Sequence, residues 1–475
     1  MDPYDPKEFA GIAERLVQLA TRWLDVDRDD PQSTGLRPAD VVARFDEPLP
    51  RTGRDAAEVL ERVERDYVAE AQRLNHPRYI GHQVAPPIPA AAAADVLAST
   101  MNNGMAIWSM SPTATVVESR VLSWFAGELG WPDRDDARDW GGTFVSGGAV
   151  GNLTALAAAR ARVWPDAWVD GVGARRGAIV TSGSAHYCIE RAAGLLGLGS
   201  RAVVPVPTED GRAVPAEADR ALRAARDEGR DVLALVGTAG ATPDGAVDDL
   251  EALADVAAEH GVWFHVDAAH AGAFLLSKRL APRLAGIGRA DSVAIDLHKM
   301  MFQPISTAMV LCRRRASLLT AFAQSAPYLF HGGERGALDS GGLSLQCSRR
   351  ADALRAWLTL QLYGADGVAE LQERTVDTAC ASAALIAERP EFEVLHEPQT
   401  NILCFRHVPR RLAGDDAALD RHNDAVREAL HRDRFAYLTG TSWNGRRVLR
   451  MTFINPATRV EDVGDVLDRI EASAT

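Results

Sequence analysis

The chain is poor in what would point to a membrane, a metal or a secreted scaffold. Cysteine occurs five times in 475 residues, at 188, 312, 347, 380 and 404. The spacing matches no zinc or iron–sulfur pattern and reads as reduced thiols in a cytoplasm. No metal site is expected. No apolar run is long enough to span a bilayer; IPAAAAADVLA is short and Ala-rich. The N-terminal MDPYDPKEFA is acidic and does not read as a signal peptide, so the expected location is cytoplasmic. Basic residues are outnumbered, 52 against 65, and the net charge of −13 argues against nucleic acid or an anionic membrane as a partner. Internal repeats and low-complexity tracts are absent as well. A hydrophobic content of 47% over this length gives a globular protein with more than one subdomain.

Among what is there, the run ADSVAIDLHKMMFQPIS around Asp291 to Ser306 organises the rest. Ser292 to Asp296 has the composition of a buried strand. Lys299 follows, then Met300, Met301 and Phe302. An ammonium held among bulky apolar groups is costly to keep charged, so its pKa should fall, and a neutral amine can form a Schiff base with an aldehyde. A lysine at a strand end reaching water is the alternative. Upstream, GVWFHVDAAHA places Asp267 at a strand's C-terminal end, where open α/β sheets bind ligands. Such an acid can pair with a cationic ring nitrogen, or serve as a helix N-cap. VSGGAVGNL reads as a strand (Thr143 to Val145), a glycine turn at Gly147, Gly148 and Gly151, and an Ala-rich helix. A glycine turn entering a helix N-terminus can bind an anion, though many such turns bind nothing. His186 lies between the strand Ala178 to Thr181 and another helix.

The glycine loop, His186, Asp267 in HVDAAHAG and Lys299 in DLHK keep the order found in the group II pyridoxal-phosphate-dependent amino acid decarboxylases, and from about Asn75 onward the chain resembles that family. Its members act on aromatic amino acids, glutamate, histidine and diaminobutyrate. The resemblance implies an aspartate-aminotransferase-like α/β fold (fold type I), with a mostly parallel seven-stranded sheet in the large domain and a smaller α+β C-terminal domain. It also implies pyridoxal phosphate as cofactor and a homodimer. The alternation of short apolar runs with helical patterns independently gives strands at 143–145, 177–181, 201–206, 231–237, 261–266, 292–296 and 307–312. Helical spacing is expected over Glu8 to Leu24, over Ala56 to Leu74 and from Ala351 onward. The expected division is residues 1–80 as a helical segment packing on a partner subunit, 81–365 as the cofactor domain and 366–475 as the small domain.

Residue by residue, the resemblance assigns Lys299 to the cofactor aldehyde, Asp267 to the ring nitrogen and His186 to the ring face. Gly147, Gly148, Ala149 and Asn152 would cradle the phosphate, with Thr242, Ala269 and His298 also near the cofactor. Tyr328, in a Gly-rich stretch that reads as a mobile lid, matches a tyrosine that protonates the carbanion after CO2 loss; related aldehyde-forming synthases carry Phe there. Arg450 in VLRMTFINPATRVEDV matches an arginine that holds the substrate carboxylate. His82 and Gln83 stand where aromatic-substrate enzymes carry aromatic residues, and Ala106 where they carry a clamp. DLHKMMFQPIS resembles the diaminobutyrate- and lysine-type enzymes. The expected reaction is decarboxylation of a polar or diamino L-amino acid to the amine and CO2. The rivals are an aromatic amino acid decarboxylase, an aldehyde synthase on the same fold, and an inactive regulatory paralogue.

Overall fold

The computed structural model describes residues 2, 4–33, 35–131, 139–324 and 339–474, and the chain divides into two compact units. The larger comprises Gln83–Cys380 and His396–Leu403. Its sheet is built from β1 (Gly141–Val145), β2 (Gly177–Ser182), β3 (Val203–Val206), β6 (Asp231–Thr238), β7 (Trp263–Asp267), β8 (Ser292–Asp296) and β9 (Ala308–Cys312), in the order β1-β9-β8-β7-β6-β2-β3. A two-stranded hairpin, β4 (Thr208–Glu209) and β5 (Arg212–Ala213), stands apart. β8, β7, β6, β2 and β3 are mutually parallel, while β9 is antiparallel to both β8 and β1. Every residue of β1, β2, β7, β8 and β9 is buried, as expected for strands covered on both faces. All seven strands lie within two residues of their expected bounds.

The helix Gly148–Val163 packs across β6 to β9. Ala155, Ala158 and Ala159 on it are almost wholly buried, their small side chains letting the backbone approach the sheet. The helix Leu250–His260 shows how these elements are bounded. Asp249 caps its start by accepting from the Ala252 N–H at 3.0 Å, and Gly261 ends it in the left-handed region.

The smaller unit comprises Met1–His82, Ala381–Leu395 and Cys404–Thr475. Its sheet is formed by β10 (Phe392–Val394), β11 (Ile402–His407), β12 (Thr439–Trp443) and β13 (Arg446–Thr452), in the order β10-β11-β13-β12. The first helix, Pro6–Leu24, matches its expected span. The second is shorter than expected: Ala56–Arg62 passes into a π-helical turn, Val63–Val68. An unexpected helix, Pro38–Phe45, occupies the link, started by a proline at its first position.

The two compact units cut the chain differently from the division expected at 80 and 365. The N-terminal segment belongs to the same unit as the C-terminal sheet: the Ile80 N–H donates to the Tyr437 carbonyl at 3.0 Å, the Thr452 N–H to the Ile80 carbonyl at 2.8 Å, and Arg28 pairs with Asp462. The second boundary falls at 380, and Ala353–Ala387 is two helical stretches meeting at Gly364, whose φ of +67° and ψ of 174° are not helical.

Candidate active site

In a parallel sheet the C-terminal ends of neighbouring strands lie side by side, and the ends of β6, β7 and β8 are all polar. Thr238 ends β6, Asp267 ends β7 and Asp296 ends β8, with Thr238 in register with Asp267. One cavity is lined by all three together with Gly148, Ala149, Asn152, His186, Cys188, Gly240, Thr242, Ala269, His270 and Lys299. Eight of the residues picked from sequence thus share one wall: Gly148, Ala149, Asn152, His186, Thr242, Asp267, Ala269 and Lys299.

Lys299 sits in the turn after β8. Met300, Met301 and Phe302 behind it are buried, and the Gln372 amide anchors the turn by donating to the Met300 carbonyl at 2.9 Å. The amine itself is not sheathed in apolar groups, as the desolvation argument assumed. Its Nζ lies 3.0 Å from Asp296 Oδ2, a side chain that sequence reasoning passed over. Asp296 Oδ1 is buried without a hydrogen-bond partner among the described residues.

Asp267 is buried and doubly held: Oδ1 accepts from the Ala269 N–H at 3.1 Å and Oδ2 from the Asn152 amide at 2.8 Å. It caps no helix through these bonds, which leaves a fixed acid facing the cavity. His186 is half-buried before helix Cys188–Leu195, its ring 4.1 Å from that of Tyr187. Burial lowers its pKa, opposed by the Asp267 carboxylate. Cys188 beside it has its thiol pushed up to about 12, mainly by burial, so it stays protonated and is no thiolate nucleophile.

The glycine segment differs from the expected flexible turn. Gly147 is extended (φ 170°) and the helix begins at Gly148, so Ala149, Gly151 and Asn152 are already helical. The Val150 and Gly151 N–H groups fold back on the Gly147 carbonyl at 2.9 and 3.0 Å. The helix has no internal partner for the N–H groups of Gly148 and Ala149, and both line the cavity. Asn152 is one turn further in, and its side chain supports Asp267 rather than reaching an anion. Gly148 is required by space: a Cβ there would lie 2.8 Å from the Ala269 Cβ and 3.2 Å from Asp296 Oδ2.

His298 does not line the cavity. Its Nδ1 is engaged with the Thr307 backbone, 2.9 Å from the carbonyl, while Nε2 lies 3.6 Å from Asp296 Oδ2. His82 and Arg450 belong to the smaller unit, where His82 Nε2 meets the Tyr437 hydroxyl at 3.0 Å. Arg450 is buried and donates to Thr439 Oγ1 at 3.0 Å and the Gly81 carbonyl at 3.3 Å. Gln83 begins the larger unit and is half-buried, and Ala106 is buried. Tyr328 lies outside the described residues. Thr238, Gly240, His270 and Asp296 were missed, although Asp296 satisfies the strand-end rule that picked out Asp267.

A carboxylate fixed at a strand end, a primary amine, an imidazole and a helix N-terminus around one cavity fit the ring nitrogen, aldehyde, ring face and phosphate of pyridoxal phosphate. The comparisons agree. Residues 38–408 match the pyridoxal-dependent decarboxylase conserved domain. The chain is 36% identical over 433 residues to the L-2,4-diaminobutyrate decarboxylase of Rhizobium meliloti (strain 1021), covering 90% of this chain and 84% of that one. It is 28% identical over 473 residues to the aromatic-L-amino-acid decarboxylase of Bacillus atrophaeus, covering 97% and 96%. The crystal structure of mouse CSAD superposes with a TM-score of 0.92 at 27% identity, over 98% of this chain and 99% of that one. These findings make it a pyridoxal-phosphate-dependent amino acid decarboxylase of α/β fold. The chain belongs to the pyridoxal-dependent decarboxylase family.

Proposed function

We propose that the enzyme decarboxylates a short polar or diamino L-amino acid, of the 2,4-diaminobutyrate kind, to the corresponding amine. The observation that carries this reading is the 36% identity to a diaminobutyrate decarboxylase over 90% of the chain. Polar His82 and Gln83, where an aromatic-substrate enzyme carries aromatic residues, support it, and so does buried Ala106 in place of a clamp. When bound, pyridoxal phosphate supplies an electron sink for the pair released as the Cα–carboxylate bond breaks. Lys299 Nζ would hold the cofactor through its aldehyde. Asp267 would offer a carboxylate to a protonated ring nitrogen, an electrostatic contribution from a buried and fixed acid. His186 would cover the ring face, and the N–H groups of Gly148 and Ala149 would hold the phosphate. Arg450 holds the substrate carboxylate, and Tyr328 returns a proton to Cα.

The enzyme acts as a cytoplasmic homodimer in this proposal. Five free cysteines support a reducing compartment, and no described helix is long and apolar enough to cross a membrane. Phe9, Leu16 and Val17 on helix Pro6–Leu24, with Val42 and Phe45 on Pro38–Phe45, are exposed, as suits a face covered by a second copy. CO2 release is to be measured across the common amino acids and the short diamino acids. Fastest turnover is expected on 2,4-diaminobutyrate or a close polar analogue; release only from Tyr, Trp or dihydroxyphenylalanine overturns the substrate assignment. Light scattering on the same sample is expected to give about 102 kDa, twice 51.1 kDa, and a single-chain mass overturns the dimer.

A further inference from the structure

Asp267 is the last member of a line of five buried polar groups, none of the others being more than 1% exposed. The indole Nε1–H of Trp263 donates to Ser292 Oγ at 2.8 Å. Ser292 Oγ lies 2.9 Å from His265 Nδ1, His265 Nε2 lies 2.9 Å from Asn152 Oδ1, and Asn152 Nδ2 donates to Asp267 Oδ2 at 2.8 Å. The fold sets this spacing. His265 is opposite Ser292 in the β7–β8 register, and Asp267 is two residues further along the same strand, on the same face as His265. Asn152 reaches both from the helix that crosses them.

We propose that His265, Ser292 and Asn152 form a positioning array that presents the Asp267 carboxylate to the cofactor's ring nitrogen, with each hydrogen bond along the line running toward Asp267 and the second Asn152 N–H reaching Cys188 Sγ at 3.1 Å. The direction follows by elimination from the Asp267 end. A carboxylate only accepts, so Asn152 must turn its NH2 to Asp267 and its oxygen to His265. His265 Nε2 must then carry the hydrogen. Burial in this apolar surround pushes the imidazole down to about 4, against the Asp267 carboxylate that draws it up, so the ring is neutral and Nδ1 is bare. A bare Nδ1 needs a donor. The Ser292 carbonyl, 3.1 Å away, cannot be one, and the Ser292 hydroxyl can. That hydroxyl has given its hydrogen to His265 and accepts from Trp263 in turn. Without the hydroxyl, the imidazole gains by carrying its hydrogen on Nδ1, where the Ser292 carbonyl accepts it. Nε2 is then bare and calls for the Asn152 NH2, which turns the amide oxygen toward Asp267. One oxygen atom three groups away therefore decides whether Asp267 meets a donor or a repelling acceptor.

This inference rests on the cavity being the cofactor site, and the test keeps the two apart. The dissociation constant of pyridoxal phosphate and the pH dependence of the bound cofactor's absorption are measured for the wild-type enzyme and for Ser292→Ala, Ser292→Thr, His265→Leu and His265→Gln, with thermal melts alongside. Ser292→Ala and His265→Leu are expected to weaken cofactor binding about tenfold, the scale of a buried donor or acceptor left unsatisfied. They are also expected to shift the absorption titration. Ser292→Thr keeps the hydroxyl, and His265→Gln keeps one donor and one acceptor, so both are expected to stay close to wild type. The array is overturned if Ser292→Ala and His265→Leu melt lower yet bind cofactor with the wild-type constant and spectrum. It is equally overturned if Thr and Gln lose as much as Ala and Leu. Should the wild-type enzyme itself take up no pyridoxal phosphate, the cofactor site is refuted before any substitution is read.

Discussion

Lys299 is one of three lysines in the chain, with Lys7 and Lys278, in a sequence that otherwise draws its positive charge from arginine. An arginine cannot act as an amine nucleophile, so a lysine retained at a strand end beside two carboxylates marks chemistry rather than charge. Lys299→Ala is expected to lower kcat by about three orders of magnitude or more, with loss of the bound cofactor's absorption band and an unchanged circular dichroism spectrum. Full activity with an intact band would remove Lys299 from the mechanism. That scarcity was legible, and so was Asp267. His265 was visible in HVDAAHA too, but a histidine two residues before an acid has no signature of its own. Its partners come from residues 152 and 292, 113 positions before it and 27 after. Asn152 was read as an anion ligand because its place in the second turn of a helix depends on where that helix starts, which glycines conceal.

At the scale of elements, the large sheet was the readable part. Strands buried on both faces are runs of apolar residues whatever their neighbours, so their positions survive without knowledge of the fold. The β4–β5 hairpin was equally accessible and was missed. Asp210 and Gly211 both have positive φ, 49° and 79°, as a two-residue turn of this kind demands, and Asp-Gly is its common sequence. The start of helix Gly148–Val163 was harder, since glycine argues against helix by propensity while here it is demanded by contact. Gly148→Ala tests that reading. Its Cβ would meet Ala269 and Asp296 inside ordinary contact distance, and both neighbours belong to strand ends that cannot move independently. Overpacking of about 1 to 3 kcal/mol is expected, seen as a lower Tm, together with weaker cofactor binding, because the N–H groups of Gly148 and Ala149 shift with the helix. An alanine variant with unchanged Tm and cofactor affinity would show that the helix start has slack.

At the scale of the whole molecule, each unit buries an imidazole that must stay uncharged. His265 sits in the larger unit and His407, on β11, in the smaller, and neither is exposed. Burial lowers both from 6.5 to about 4. The neighbouring His422 adds to the effect at His407, and carboxylates oppose it at both sites, Asp267 at His265 and Glu391 at His407. The unfolded chain takes up a proton on each near the ordinary value, and the folded chain refuses it until much lower pH. A base with its folded pKa depressed gives stability that is fully present above 6.5 and lost as pH falls from there toward 4. Each imidazole can withdraw up to about 3 kcal/mol over that window. Asp219, held at about 2 chiefly by Arg223 and then by His260, loses its own contribution only below the ordinary carboxylate range, whereas Asp248, raised to about 6 by burial, protonates first in the folded chain and offsets part of the histidines' loss between 6 and 4. Thermal melts of the cofactor-free protein are expected to fall as pH drops from 6.5 to 4, and to fall less steeply in His407→Gln, which removes one of the buried proton acceptors. Melts that hold level across that interval, or a His407→Gln profile parallel to wild type, would mean that these rings titrate in the folded protein much as they do in water.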